Sequence, residues 1–272
     1  MPLKAHSVWH VLRGMIAAVV LFAGLAAVQA GEMIEGIAVV TSEQGAIQIT
    51  DKDGRSSSPD LHEPLILNGS RIQTGKGAYL FLALSNGVSI GIGGSSEVAF
   101  EAYLQQPFTA KKESILHEPS VSELSIRITT GTLAIVSNQL SPVSQARIYL
   151  PTGEIRIHSA TCVLQNNDLG TRITACEGTL TYYYPDKTKR EFIVEPQSIR
   201  ISQHSAGLGQ TTESTMITSL PEDCRQLAAA TQHASTRVFF KASASGGPPQ
   251  PVLIVSPDYF KQPSARPYEF NE

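Results

Sequence analysis

Apolar and polar residues alternate with a period of two through residues 36–203. Runs such as AYLFLAL, ELSIRITT and EIRIH are separated by turn signals, among them Asn86-Gly87, Thr130-Gly131 and Glu177-Gly178. Successive side chains of a strand point to opposite faces, so this pattern predicts many short strands that bury one face. No helical apolar stripe interrupts them. The predicted fold class is all-β, with many short antiparallel strands in a sandwich- or solenoid-like domain.

The N-terminal segment, residues 1–30, has the pattern of a signal peptide. Lys4 and Arg13 precede an apolar run at residues 15–28, and small residues lead to a break after Ala30. This order predicts export to the periplasm or the cell exterior, with the membrane involved only through the signal peptide during export. An uncleaved N-terminal anchor is the alternative.

The charge balance bears on the choice of partner. The formal net charge of −3 becomes −5 when Lys4 and Arg13 are removed, because residues 1–30 contain no Asp or Glu. No basic stripe with interleaved aromatic residues is present, so a nucleic-acid partner is not expected. A low share of charged residues, 17%, is typical of a β-rich exported protein.

A different organisation is predicted after the β domain, which is assigned to residues 31–205. Residues 206–242 are interpreted as a flexible connector followed by a helix over residues 220–237. The helix is expected to begin at a capping box, in which Ser219 accepts a hydrogen bond from a first-turn N–H and Glu222 reaches back.

The last segment, residues 243–272, is rich in proline and is predicted to be a disordered tail, since proline fixes φ and removes hydrogen-bond donors. A four-residue apolar run inside it is the exception. This run could add to a sheet edge of the same chain or of a partner, which makes it the candidate partner-docking segment. Contact with the chain's own domain is the favoured reading. The run consists of Val252, Leu253, Ile254 and Val255.

One motif imitates a hydrolase. Residues 87–91 read G-x-S-x-G, the pattern of a nucleophile elbow, with Ser89 in the nucleophile position. Such an elbow needs a strand, a tight turn at the serine and then a helix. Here the turn precedes Ser89 at Asn86-Gly87, and a second strand follows. The small residues are therefore predicted to let another layer pack closely on this strand.

No catalytic, cofactor or metal site is predicted. The histidines after residue 30 show no local metal-ligand spacing. No pattern singles out a nucleophile with an activating base, so the chain is expected not to be an enzyme and to need no cofactor. The histidines are His62, His117, His158, His204 and His233.

The chain has three cysteines and no C-x-x-C motif, which argues against a thioredoxin-type pair or a zinc ribbon. Cys162 and Cys176 flank a predicted hairpin whose turn is at residues 167–170, so they are candidates for a cross-strand disulfide in an oxidising compartment. Cys224 would then be a leftover, buried thiol of the helix.

The order of the β signals resembles the FecR domain, an extracytoplasmic β-rich module of iron-dicitrate-type sensors. The segments that carry the resemblance are LILNGSRIQTGKGAYLFLALSNGVSIGIGG, then ARIYLPTGEIRIH, and finally EFIVEPQSIRIS. The resemblance covers about residues 34–203. The chain departs from the family at residues 157–161 and at Pro196-Gln197, where a Val-Arg-Gly-Thr-like step and a Gly-Gln are common.

Three functions follow as hypotheses. The first is a non-catalytic exported module that binds or scaffolds an unidentified envelope protein or glycan. The second is a signalling component that works with a membrane anti-sigma-type partner, because the short stretch before the apolar run is expected to leave no room for the chain's own sigma-binding domain. The third is a carbohydrate- or ester-active secreted enzyme whose site is assembled only in space.

Overall fold

Strands make up most of the part of the chain that the computed structural model describes, which comprises residues 32–61, 63–107, 118–137, 140–206, 209–236, 238–241 and 248–253. Met1–Glu32 and Met33–Glu272 are separate units, and the second contains the elements of the fold. Its elements are β1 (Ile34–Glu35), β2 (Ile37–Gln44), β3 (Ile47–Thr50), β4 (Ser56–Ser57), β5 (Pro64–Ile66), β6 (Arg71–Thr74), β7 (Tyr79–Leu84), β8 (Ser89–Ile92), β9 (Glu97–Gln105), β10 (Ser122–Val136), β11 (Gln145–Leu150), β12 (Gly153–Asn167), β13 (Gly170–Tyr183), β14 (Arg190–Val194), β15 (Ser198–Ala206), β16 (Gly209–Ile217), α1 (Glu222–Ser235), β17 (Val238–Lys241) and β18 (Gln250–Leu253).

Three long strands, β10, β12 and β13, each take part in two layers. The first half of β10 pairs with β9 and β11, and its second half pairs with β8 and β12. The first half of β13 pairs with β15 and its second half with β14. Layer A is therefore β5-β2-β7-β8-β10-β12-β13-β15-β16, and layer B is β4-β3-β6-β9-β10-β11-β12-β13-β14.

The long strands bend where they pass from one layer to the other. Gly131 in β10 and Gly178 in β13 have φ values of +97° and +73°, which residues other than glycine rarely adopt. A Cβ on Gly131 would lie 2.1 Å from the Ser96 hydroxyl oxygen. The prediction of turns at Thr130-Gly131 and Glu177-Gly178 was therefore wrong, because these glycines bend continuous strands.

The inner faces of the two layers share one hydrophobic core, which the period-two residues fill. The all-β prediction is confirmed, with one exception to antiparallel pairing among the named strands: β10 and β11 run parallel. The largest fully buried side chains of this core include Tyr103, Tyr182, Phe100, Leu82, Ile90 and Leu124.

The outer face of layer A is covered by the C-terminal elements. Helix α1 packs with Cys224 and Leu227 on a cluster that includes Phe81, Ala134 and Val163. The β17–β18 ribbon places Val238 and Phe240 in a separate cluster on Ile37, Val39 and Ala83. Layer A thus has protein on both faces.

Two predictions for this region were wrong. The expected flexible connector is mostly β16, which pairs with β15 along its whole length. The helix begins at Glu222 with Pro221 in the N-cap position, and no side chain caps it, so the capping box at Ser219 does not form. A helix that starts after Pro221 places Ser219 outside the first turn, beyond the position from which a hydroxyl reaches the free N–H groups.

Candidate functional site

Ser89, the residue of the hydrolase-like motif, lies inside β8 and is fully buried. Its hydroxyl oxygen has no hydrogen-bond partner among the residues that the structure describes. The neighbouring Gly91 lies under helix α1, where an added Cβ would be 2.3 Å from Thr231 Oγ1 and 3.0 Å from the Phe81 ring. The prediction that the small residues admit a closely packed layer is confirmed.

The predicted disulfide pair lies on adjacent strands but on opposite faces. Cys162 is opposite Ala175 in the β12–β13 register and belongs to the core between the layers. Cys176 packs against the cluster under helix α1. All three thiols are free in the structure, including Cys224. The hairpin was thus located from sequence, but the register set by its turn pairs Cys162 with Ala175, so the side chain of the next residue, Cys176, points to the other face.

The candidate docking segment divides at the end of the described region. Val252 and Leu253 are in β18, where their backbones pair with Phe239 and Val238 of β17. Ile254 and Val255 lie outside the described residues. The paired half of the segment therefore contacts its own chain.

Metal-binding and enclosed sites were sought among the described residues. No group of three or more His, Cys, Asp or Glu side chains comes together there. An open groove of about 580 Å³ beside β3 and β6 is lined mainly by neutral residues, with Glu43 as its carboxylate. No helix in the described part of the chain has the length and apolar character needed to cross a bilayer.

The outer face of layer B carries a distinctive set of arginine and aromatic side chains. Five neighbouring strands, β10 to β14, place ten side chains in two cross-strand rows, which together we name the arginine–tyrosine face. At about 4.8 Å per strand, it is about 19 Å wide. The first row is Arg127, Tyr149, Glu154, Tyr183 and Arg190, and the second is Ser125, Arg147, Arg156, Thr181 and Phe192.

Guanidinium groups lie over the aromatic rings of this face. Each contact is within the distance of a cation–π interaction, which is worth about 0.5–1 kcal/mol at an exposed site. Stacking also orients the guanidinium groups, of which Arg127 and Arg156 donate to Glu101 and Glu154, while Arg190 has no ion pair among the described residues. The distances from guanidinium carbon to ring centroid are 5.1 Å for Arg127 and Tyr149, 4.5 Å for Arg156 and Tyr183, and 5.2 Å for Arg190 and Phe192.

Glu154 fixes the centre of the face. Its carboxylate is 5% exposed and accepts hydrogen bonds from Arg156 Nε at 2.8 Å and Lys187 Nζ at 3.0 Å. Burial alone would raise the pKa of Glu154, but these two hydrogen bonds outweigh it and hold the pKa below its ordinary value. Arg147 and Arg190 take part in no ion pair found among the described residues.

The face therefore carries uncompensated positive charge. Arg147 lies directly opposite Arg156, and like charges in such a cross-strand pair repel each other. Of the four arginines in the two rows, Arg127 pairs with Glu101 of β9 and Arg156 pairs with Glu154. The charges of Arg147 and Arg190 are left uncompensated among the described residues, on a chain whose net charge is negative. An anionic group placed here would relieve the repulsion and accept hydrogen bonds from guanidinium edges.

Sequence reasoning missed this face. Its residues alternate with core residues in ARIYL, EIRIH and REFIV, so each single Arg or Tyr reads as an ordinary outward position. The signal that could have found them is the repetition of Arg and aromatic residues at the outward positions of successive strands. The pairing of those strands, including the parallel β10–β11 pair, is needed to bring them together.

No protein-family model and no curated protein matches the chain. Two crystal structures of a "putative anti-sigma factor" from Parabacteroides distasonis can be aligned with it. One is 7% identical over 55% of this chain and 60% of that chain, and the other is 8% identical over 72% and 91%. Both have a TM-score of 0.39. A likeness of this size does not assign a family or a function, and the FecR resemblance stays a prediction from the sequence.

Proposed function

We propose that this chain is a non-catalytic, exported FecR-like module that binds an acidic segment of a cell-envelope protein through the arginine–tyrosine face. The observation that carries the proposal is the pair of guanidinium groups without ion pairs, those of Arg147 and Arg190, on a face that also holds three stacked aromatic rings. Tyr and Arg are the residues most enriched in the energetic centres of protein interfaces.

The chemistry of the face favours carboxylates over neutral sugars. Neutral glycans are bound largely by stacking on aromatic faces, and here guanidinium groups lie over the faces of Tyr149, Tyr183 and Phe192. Carboxylates, in contrast, would meet the guanidinium edges of Arg147 and Arg190, which have no ion pair among the described residues. Because Arg147 and Arg190 lie on strands three positions apart, about 14 Å separates them across the sheet. An extended acidic peptide covers this distance with about four residues.

Binding of poly-L-glutamate to the purified chain tests this proposal. We expect binding at about 50 mM salt that weakens strongly at about 300 mM, as the charges are screened. The double variant Arg147→Gln/Arg190→Gln should bind about tenfold or more weakly. The matched control is Arg172→Gln/Arg200→Gln, which removes the same charge from a cross-strand pair in layer A. Equal weakening by both double variants would contradict a site on layer B.

A polygalacturonate arm separates protein from glycan ligands. Tighter binding of polygalacturonate than of poly-L-glutamate, with the same dependence on Arg147 and Arg190, would replace the acidic protein with an acidic glycan. Site-specific photo-crosslinking in cells then identifies the partner. A photo-reactive residue at Phe192 should give a cross-linked product, and the charge variants should lose that product. A photo-reactive residue at Leu169, an exposed turn residue, should give no such product.

Photo-crosslinking also bears on the signalling alternative. A sensor of the anti-sigma type needs a membrane protein as its partner, and the Phe192 product would contain that protein. Recovery of a soluble envelope protein instead would favour the scaffold reading.

A further inference from the structure

We propose that Cys176 and Cys224 are a cross-linking site, and that their disulfide fastens helix α1 to strand β13. Both side chains belong to the cluster under the helix, whereas Cys162 faces the core between the layers. The proposal is independent of the arginine–tyrosine face, which lies on the outer side of layer B.

Contacts around Cys224 show which part of β13 it faces. Its sulfur lies 3.8 Å from the hydroxyl oxygen of Thr174, and Thr174 is two residues before Cys176 on the same strand. Residues two apart on a strand share a face, so Thr174 and Cys176 both point toward the helix. Cys224 sits in the first turn of α1, and the cross-link requires it to move from Thr174 toward Cys176, which lies about 7 Å further along the strand.

Electrostatics places Cys176 near both other thiols, since Cys176 contributes to the raised pKa of Cys162, and the choice of Cys224 rests on the shared face. Burial raises the pKa of Cys176 to about 12, and the neighbouring Cys224 contributes to that rise. Burial also raises the pKa of Cys224 to about 11. Since the thiolate is the attacking species, both groups react slowly in the folded chain at neutral pH. The cross-link is therefore expected to form mainly while the chain folds, or under alkaline conditions.

The chemistry is a thiol–disulfide exchange with a small-molecule or protein disulfide as oxidant. The thiolate of one cysteine attacks a sulfur of the oxidant and releases one oxidant thiol. The second cysteine thiolate then attacks the resulting mixed disulfide and releases the other. The chain loses two protons and two electrons, and the S–S bond of the oxidant is reduced to two thiols.

Trypsin places the three cysteines in separate peptides, covering residues 157–172, 173–187 and 201–225. The chain is refolded with oxidised glutathione at about pH 8.5, close to the pKa of a free thiol, alkylated and digested without reduction. We expect peptide 173–187 linked to peptide 201–225. Cys162→Ala should keep this link, whereas Cys176→Ala and Cys224→Ala should each abolish it.

Two results would overturn the proposal. One is a link between peptides 157–172 and 173–187, which is the pairing expected from the hairpin alone. The other is complete alkylation of all three cysteines in chain whose helix is docked, judged by slow hydrogen exchange in residues 222–235. A cross-linked sample should exchange these amides still more slowly than the reduced sample, and Cys162→Ala should show the same difference.

Discussion

At the level of single residues, Gly91 shows why β8 has small side chains. Its missing Cβ leaves the space that Thr231 of helix α1 fills, with the Thr231 hydroxyl donating to the Leu227 carbonyl at 2.8 Å. Gly91→Ala should destabilise the chain by about 1–3 kcal/mol, the usual cost of overpacking. Thermal or denaturant unfolding measures this change.

A double-mutant cycle with Thr231→Ala identifies the cause. If the clash with Thr231 is responsible, the second substitution should recover at least about 1 kcal/mol of the loss. If the effects of the two substitutions are additive, the new Cβ clashes with the Phe81 ring rather than with Thr231. Ser89→Ala is the matched control in the same strand. It should be neutral or slightly stabilising, because it removes a buried hydroxyl that has no partner within the described part of the chain.

Glu154 gives a prediction about pH. Its pKa is lowered in the folded chain, so its contribution is present above the unfolded pKa and is lost as the pH falls through the folded pKa. Glu154→Gln should cost about 1–2 kcal/mol at pH 7, since charge-assisted hydrogen bonds to Arg156 and Lys187 are lost. The difference between wild type and variant should shrink toward zero below about pH 4.

The control for this comparison is Glu97→Gln, whose partner Arg71 is exposed. Its effect should be under about 1 kcal/mol at every pH, as for surface pairs in general. A stability difference for Glu154→Gln that stays constant from pH 7 to about pH 3 would show that the charge of Glu154 is not what stabilises the face.

At the level of elements, the N-terminus of helix α1 gives a prediction about capping by Ser219. Ser219→Ala should change the free energy of unfolding by less than about 0.3 kcal/mol, because no side chain caps this helix. A working N-cap serine would cost about 0.5–2 kcal/mol. Denaturant unfolding distinguishes the two, and a loss above about 1 kcal/mol would restore the predicted capping box.

Sequence alone located elements better than it located their ends and bends. Alternation identified the strands because burial of one face demands it. The glycines at Gly131 and Gly178 were misread as turns because the same positive φ serves a turn and a bent strand. Strand β16 was misread as a connector because TTEST has no apolar alternation, and its pairing with β15 supplies what the pattern lacks.

At the level of the whole molecule, the arginine–tyrosine face was missed because local sequence patterns do not specify which strands are neighbours. The strands that carry the arginine–tyrosine face also have core-facing residues, and these were predictable. Ile148, Ile155 and Leu180 are buried as the alternation of apolar and polar residues predicts. The outward residues gain their meaning only from the order of the strands. That order includes a parallel neighbour and three strands that change layers, and local sequence patterns carry no information about either.

The covered outer face of layer A yields a prediction about the whole fold. Truncation after Ile217 would expose Phe81, Ala134 and Val163 under the helix and Val39 and Ala83 under the ribbon. Exposed apolar area costs about 25 cal/mol per Å², so several kcal/mol should be lost. The truncated chain should unfold at a lower temperature, bind the dye ANS and self-associate, because large apolar patches promote association.

Truncation after Leu253 is the control, since it keeps helix α1 and the β17–β18 ribbon while removing the remainder of the chain. The contrast between the two truncations isolates the contribution of the covering elements. The chain ending at Ile217 could instead stay monomeric, cause no increase in ANS fluorescence and unfold at the same temperature as the longer control. That result would show that layer A is stable without the covering elements. In that case the small residues Ser89 and Gly91 on the outer face of β8 would have to be explained by a different contact.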